Sequence, residues 1–192
     1  MISARGVLVR SAACGFALLL AAAPARAERS LTDSAGRVVR LPDRIERVFA
    51  AGPPAAVLLY VLAPDRLTGW PRAPRPEELP YLMPATRDLP ELGMLTGRGD
   101  TANLEVVLKV RPDLILDFGS VRDTYVSLAD RVQAQTGIPY VLIDGTFAHT
   151  AAAIRLLGRV LGVEDRAERL AAYVEASFAA LDRRLATIPE SD

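Results

Sequence analysis

Three arginines and three aromatic residues fall in loops that we predict to lie at the carboxyl ends of the buried strands. They are Trp70, Arg72, Arg98, Arg122, Tyr125 and Phe147. Open α/β sheets place their ligands at the carboxyl ends of the strands, where such loops meet. A guanidinium group pairs bidentately with a carboxylate, and an aromatic ring can stack on a flat ligand. We therefore predict that these side chains line a binding cleft, although each one alone also fits ordinary packing or a solvated surface position.

The chain has neither the nucleophile motifs of common hydrolases nor the glycine motif of dinucleotide-binding enzymes. Its only cysteine, Cys14, falls in the predicted export signal described below, and no Gly-x-Ser-x-Gly motif is present. The glycines from Gly93 to Gly99 do not follow a strand in the spacing of a dinucleotide site. Turn and strand-end positions explain four aspartates that could otherwise suggest a metal or acid-base cluster, namely Asp113, Asp117, Asp123 and Asp144. We predict no catalytic residue and no cofactor; a hydrolase is the alternative that turnover of an ester or phosphate would support.

Residues 1–27 have the pattern of a secretory signal peptide. Arg5 and Arg10 precede an apolar stretch over 12–23, and Ala25-Arg26-Ala27 forms a small-x-small cleavage site. The apolar stretch is shorter than the roughly 20 residues of a membrane-spanning helix, so a permanent anchor is the less favoured alternative. Removal of the signal leaves a net charge near −3. This charge gives no indication of nucleic-acid binding.

The block from Thr101 to Gly119 predicts a capped helix, a tight turn and a buried strand. Thr101 or Asn103 can cap a helix whose apolar positions recur at Leu104, Val107 and Leu108. Pro112 ends this helix and keeps the preceding residue out of the α region. The apolar run Leu114 to Leu116 then indicates a strand covered on both faces, as in a parallel α/β sheet.

The remaining elements follow from turn residues and apolar periodicity. A helical stretch from Ala151 to Ile188, broken near Gly162, ends in an amphipathic helix of roughly 24 residues, about twice the average helix length. The segment from Pro71 to Pro90 contains six prolines and predicts an irregular path with one helical turn near Glu77 to Tyr81. The other predictions are a hairpin over 29–41, strands over 47–51, 67–70 and 140–143, and helices over 56–62 and 124–135.

Four segments in this order resemble the amino-terminal half of the periplasmic substrate-binding proteins of ABC importers for iron-siderophores, haem and cobalamin. They are the strand and helix ERVFAAGPPAAVLLYVLAPDRLTGW, the block LPELGMLTGRGDTANLEVVLKVRPDLIL, the strand TGIPYVLID and the long helix after it. The resemblance implies an α/β fold, a parallel-sheet sandwich lobe with a long linking helix, whose second lobe is absent from this chain. The implied divisions are a signal over 1–27, an amino-terminal ligand-binding lobe over 28–150, a helical segment over 151–188 and a truncated start of the second lobe over 189–192. We expect the sequence to be a fragment of a longer protein.

The resemblance also implies a function and partners. In this family a glutamate at the position of Glu105 pairs with arginines of the membrane permease; a first-turn acid that favours the helix dipole is the alternative. The implied ligand is a ferric-siderophore, with haem or cobalamin as alternatives, delivered by a periplasmic monomer to an ABC permease and its ATPase. A partner-binding accessory or sensor lobe is the alternative of another class.

His149 is the only histidine. Direct capture of zinc or manganese in related proteins needs several histidines with carboxylates, so we predict no metal site built from protein side chains. An axial contact from His149 to haem iron and a plain surface position at a helix start both stay open.

Overall fold

The computed structural model describes residues 28–96 and 104–187 of the chain. Six α-helices and five strands are found in these ranges. The strands are β1 (Glu28–Thr32), β2 (Val38–Pro42), β3 (Val48–Ala50), β4 (Leu114–Gly119) and β5 (Tyr140–Asp144). The helices are α1 (Pro53–Leu62), α2 (Pro84–Arg87), α3 (Leu104–Val110), α4 (Asp123–Thr136), α5 (Thr150–Leu161) and α6 (Glu164–Leu185). No helix in the described part of the chain is long and apolar enough to cross a membrane.

A parallel sheet in the order β3-β4-β5 forms the centre of the molecule, which confirms the predicted fold class. Alternate residues of β4 enter separate apolar clusters on the two faces of the sheet. Leu114 and Leu116 pack towards α1, α5 and α6, whereas Ile115 packs towards α3 and α4. Both faces are therefore covered by helices, which explains why the strand sequence is continuously apolar.

The predicted strand over 67–70 is wrong in extent. Leu67 forms only an isolated parallel bridge to Val48, and Trp70 forms another to Glu91. The amide of Trp70 donates to Pro90 O at 2.8 Å, and its carbonyl accepts the amide of Leu92 at 2.8 Å. The backbone leaves the β3 edge at this point because Trp70 pairs with the end of the proline-rich segment instead.

The β1-β2 hairpin closes the free edge of β5. Ser34 N donates to Leu142 O at 3.0 Å, and Leu142 N donates to the carboxylate of Asp33 at 3.2 Å. Arg37 Nη1 donates to Tyr140 O at 3.0 Å and to Asp33 Oδ2 at the same distance. Unpaired backbone groups on an edge strand can pair with another chain. The contacts with the hairpin occupy such groups on β5.

The helix preceding β4 ends as the sequence predicts. Helix α3 stops at Val110, and Arg111, the residue before Pro112, takes a φ of +50°, which lies outside the right-handed α region. Helices α5 and α6 are separated at Gly162, whose φ is +66°. Helix α6 spans 22 residues, close to the predicted length, and packs on α5 where Ala167 faces Gly158.

Candidate functional site

Loops from four positions meet at the carboxyl edge of the sheet. These loops follow Leu67, β3, β4 and β5. The loops after β4 and β5 are in direct backbone contact, since Gly145 N donates to Gly119 O at 2.7 Å. A Cβ atom on Gly145 would lie 2.7 Å from Gly119 Cα, so only glycine permits this approach. Of the predicted ligand-binding residues that the structure describes, Trp70, Arg72, Arg122 and Phe147 lie at or beside this edge, whereas Tyr125 lies on α4 in a separate cavity. Arg98 falls outside the described residues.

Trp70 and Arg72 line one apolar groove, which we call the proline groove. The groove has a volume of about 380 Å³ and is lined mainly by Pro53, Ala56, Val57, Trp70, Pro71, Pro74, Tyr81 and Leu82, with Arg72, Glu77 and Glu78 at its charged end. Trp70 is only 7% exposed. Its Nε1 donates to Thr86 O at 2.8 Å, and its ring contacts that of Tyr60 at a centroid distance of 5.7 Å. The indole is thus a fixed wall of the groove.

The guanidinium of Arg72 is already paired. Its Nη2 lies 2.9 Å from Glu78 Oε1, and Glu78 also accepts the amide of Arg75 at 2.7 Å. The hydrogen bond from Arg72 lowers the pKa of Glu78, and the amide of Arg75 adds to the effect. Arg72 therefore faces the groove as one half of an ion pair.

The other three described residues do not join Trp70 and Arg72 in one cavity. Arg122 is exposed at the start of α4, where its Nε donates to Ser120 Oγ at 3.2 Å. Tyr125 lines a separate cavity with Leu95, Thr96, Thr124, Ser127, Leu128 and Arg131. Phe147 is 71% exposed, and its ring packs on Phe178 of α6 with the centroids 4.3 Å apart. Phe147 thus joins the edge of the sheet to the long helix.

His149 forms a compact hydrogen-bonded group with Asp144 and Thr146. Its Nδ1 lies 2.5 Å from Asp144 Oδ2 and 3.0 Å from Thr146 Oγ1. The backbone N–H of Thr146 holds the pKa of Asp144 below its ordinary value, and His149 contributes to the same shift. Because an ionised carboxylate only accepts hydrogen bonds, Nδ1 is the nitrogen that donates to Asp144, which leaves Nε2 as the ring nitrogen outside this group.

Glu105 lies in the first turn of α3 with its side chain exposed. This position fits both the predicted contact with a permease and a favourable interaction with the helix dipole.

A buried polar group below the carboxyl edge was not predicted. Asp117 is 5% exposed on β4. Its carboxylate accepts hydrogen bonds from Thr96 Oγ1 and Tyr140 OH, both at 3.2 Å. Thr96 N in turn donates to Ala51 O at 3.0 Å, so the group ties the segment at Thr96 to the ends of β3 and β4. The sequence does contain an indication of this buried group, because Asp117 interrupts a strand that is otherwise apolar on both faces.

Asp117 makes the stability of the protein dependent on pH. Burial raises the pKa of its carboxyl group, although the hydrogen bonds from Thr96 and Tyr140 oppose the shift. A carboxyl group whose pKa is raised by folding stabilises the folded protein fully at pH values below the unfolded pKa of about 3.9. This stabilisation is lost as the pH rises through the pKa of the folded state. Asp117→Asn cannot ionise, so its stability relative to wild type should increase from pH 4 to pH 7 in urea unfolding. Parallel profiles for the two proteins would contradict this account, and the exposed Asp182→Asn serves as the control.

No group of three or more histidine, cysteine, aspartate or glutamate side chains within residues 28–96 and 104–187 could hold a metal ion.

Comparison with known proteins places this arrangement in a family. The family model described as periplasmic binding protein matches residues 35–192. No curated protein matches the chain.

Solved structures show the same fold. An ABC transporter solute binding protein from Sulfurospirillum deleyianum is 26% identical, with a TM-score of 0.71 over 84% of this chain and 51% of its own. The molybdate-binding protein MolA of Haemophilus influenzae is 18% identical, with a TM-score of 0.66 over 84% of this chain and 55% of its own. Staphylococcus aureus SirA, solved with staphyloferrin B, is 23% identical, with a TM-score of 0.59 over 81% of this chain and 49% of its own.

The chain spans about half the length of these structures, consistent with a single lobe. Proteins of this kind bind solutes and are not enzymes. The matched region covers most of the chain, including the whole parallel sheet and the helices on both of its faces. This chain therefore belongs to the periplasmic binding protein family.

Proposed function

We propose that this protein is part of the periplasmic solute-binding component of an ABC importer and that its solute is a ferric-siderophore or a related metal chelate. The single observation that carries the proposal is the carboxyl edge of the sheet, where an apolar groove with an aromatic wall is formed after Leu67 and β3, and the loops after β4 and β5 carry Arg122 and Phe147. Apolar pockets with a few fixed polar groups are the usual form of a small-molecule site. The match to the family and the likeness to SirA support this solute class.

The geometry also favours a mostly preformed cleft. Trp70 is held by Thr86 and Tyr60, while Gly145 and Gly119 fix the adjoining loops against each other. Little ordering is then required when the solute binds, which lowers the entropic cost of association.

Binding is tested by fluorescence, because Trp70 is the only tryptophan. The purified protein is titrated with a ferric hydroxamate complex, with ferric citrate, with haem and with molybdate. We expect saturable quenching of Trp70 by a ferric chelate and none by molybdate, which lacks an organic chelator. If no metal chelate gives saturable quenching or retention in dialysis, the proposed solute class fails.

Haem is the second candidate, and the His149 group is the observation that favours it. A carboxylate that fixes the protonated Nδ1 leaves Nε2 free to bind a metal, an arrangement common to histidine ligands. Under this alternative, His149→Ala should shift the Soret band of the haem complex. An unchanged spectrum would exclude His149 as a haem ligand.

Glu105 is proposed to contact the permease. Reversing its charge should lower chelate uptake roughly tenfold or more. The carboxylate attracts a complementary arginine of the permease during docking, whereas an arginine at this position would repel it. Uptake is measured in cells that carry the cognate permease and ATPase. Glu164→Arg is the matched control, since Glu164 is also an exposed acid in the first turn of a helix. Undiminished uptake by a folded Glu105→Arg protein would contradict the docking role.

A further inference from the structure

We propose that the proline groove binds an uncharged apolar arm, aryl or alkyl, of the metal chelate, so that the protein prefers chelates with such an arm to compact polyanionic ones. This inference rests on the proposed function and narrows its solute class.

The groove has a fixed shape before any solute binds. Three of its lining residues are prolines, Pro53, Pro71 and Pro74, whose backbone φ is restricted by the ring. Its Trp70 wall is held by the hydrogen bond to Thr86 and the contact with Tyr60. A volume of about 380 Å³ is near the lower end for small-molecule sites and fits one arm of a chelate better than the whole complex.

The charges at the groove do not favour an anion. The lining contains one guanidinium, Arg72, and two carboxylates, Glu77 and Glu78. Arg72 is paired with Glu78 at 2.9 Å, and the nearby carboxylate of Glu91 accepts the amide of Ala73 at 3.0 Å. An anionic chelate would have to displace Glu78 and approach the remaining carboxylates, whereas an uncharged arm leaves these pairs intact.

The rim of the groove offers apolar surface that is still exposed to water. Val57 is 60% exposed on α1, and Tyr81 is 86% exposed across the groove. Covering these side chains with a hydrocarbon or aryl group removes apolar area from water, which is favourable in proportion to the area buried. The same contact would give little to a citrate-type ligand whose surface is mostly carboxylate.

A matched pair of ferric complexes isolates the effect of the arm. The tris complexes of benzohydroxamate and acetohydroxamate are both uncharged and present the same iron coordination, but only the first carries aryl arms. We expect the protein to bind the benzohydroxamate complex at least about tenfold more tightly, the scale on which apolar pockets discriminate, and ferric citrate more weakly than either. Equal affinities for the two hydroxamates, or tighter binding of ferric citrate, would overturn the inference.

Variants place the preference in the groove. Val57→Asp should abolish the tenfold preference, whereas Val38→Asp, at a 70% exposed valine on β2, should leave it unchanged. A preference that survives in Val57→Asp would show that the arm binds elsewhere and would overturn the assignment.

Iron-free benzohydroxamic acid separates this inference from the proposed function. Perturbation of Trp70 by this acid, absent in Val57→Asp and absent with acetohydroxamic acid, would support the groove as an apolar-arm site even if no ferric complex bound. In that case the proposed function alone would fail. If neither the free acid nor its ferric complex reaches the groove, the inference fails regardless of where other chelates bind.

Discussion

Asp33→Ala should lower the free energy of unfolding by about 3 to 5 kcal/mol, the range found when one partner of a buried ion pair is removed. The Asp33 side chain has no exposed surface, and that of Arg37 is 12% exposed. The carboxylate accepts from the amides of Ala35, Arg37 and Leu142 and from the Arg37 guanidinium. Alanine leaves the three buried amides without their acceptor and weakens the attachment of the hairpin to β5, while the Arg37 guanidinium keeps its contacts with Tyr140 O and Asp130.

Chemical denaturation of Asp33→Ala and of the exposed control Asp182→Ala measures the effect. The control should stay within about 0.5 kcal/mol of wild type, as surface substitutions usually do. A loss below about 1 kcal/mol for Asp33→Ala would mean that water replaces the carboxylate, and the edge-closing role would be wrong. Increased self-association of the variant would be a further sign that the edge of β5 has become accessible.

Gly145→Ala should destabilise the protein by about 1 to 3 kcal/mol and weaken solute binding, because overpacking at this site meets backbone that cannot rotate away. The added Cβ would lie 2.7 Å from Gly119 Cα and 3.0 Å from Gly119 N. To remove this steric clash, the loop bearing Phe147 and His149 would have to move away from the end of β4.

Gly119→Ala is a matched control on the opposite side of the same contact. A Cβ on Gly119 meets no atom within 4 Å. We therefore expect near wild-type unfolding and binding for Gly119→Ala. Equal losses in both variants would show that the contact between these loops does not set the geometry of the edge.

The fold could be predicted where short-range chemistry determines it. Pro112 ends α3, and Gly137 and Gly162 end α4 and α5 with positive φ values of 70° and 66°. The apolar run after Pro112 identified a strand with two covered faces. These features depend on residues close together in the chain, so the sequence displays them directly.

Long-range pairing could not be predicted in the same way. The segment at 67–70 has strand composition, but Trp70 pairs with Glu91 across a proline-rich segment whose path no periodicity describes. Within the same segment Arg72 pairs with Glu78, six residues further along, and no sequence motif indicates this ion pair. The prediction that the Arg72 guanidinium lines the cleft therefore did not include its ion pair with Glu78.

The sequence predicted where most of the candidate residues lie in the fold, but not which side chains they contact. Trp70, Arg122 and Phe147 do lie at or beside the carboxyl edge, as the topology of an open sheet requires. Tyr125 lies instead beside Thr96 in a separate cavity, because its place on α4 turns it towards the opposite face of the sheet. The roles of these residues in binding, and that of Glu105 in docking, stay predictions.

Equilibrium dialysis of the purified protein against a ferric hydroxamate chelate tests the central claim most directly. The protein compartment should retain the intact chelate saturably, with quenching of Trp70 that follows the same binding curve. Retention no greater than that of a protein without a chelate site, at every chelate concentration, would contradict the account.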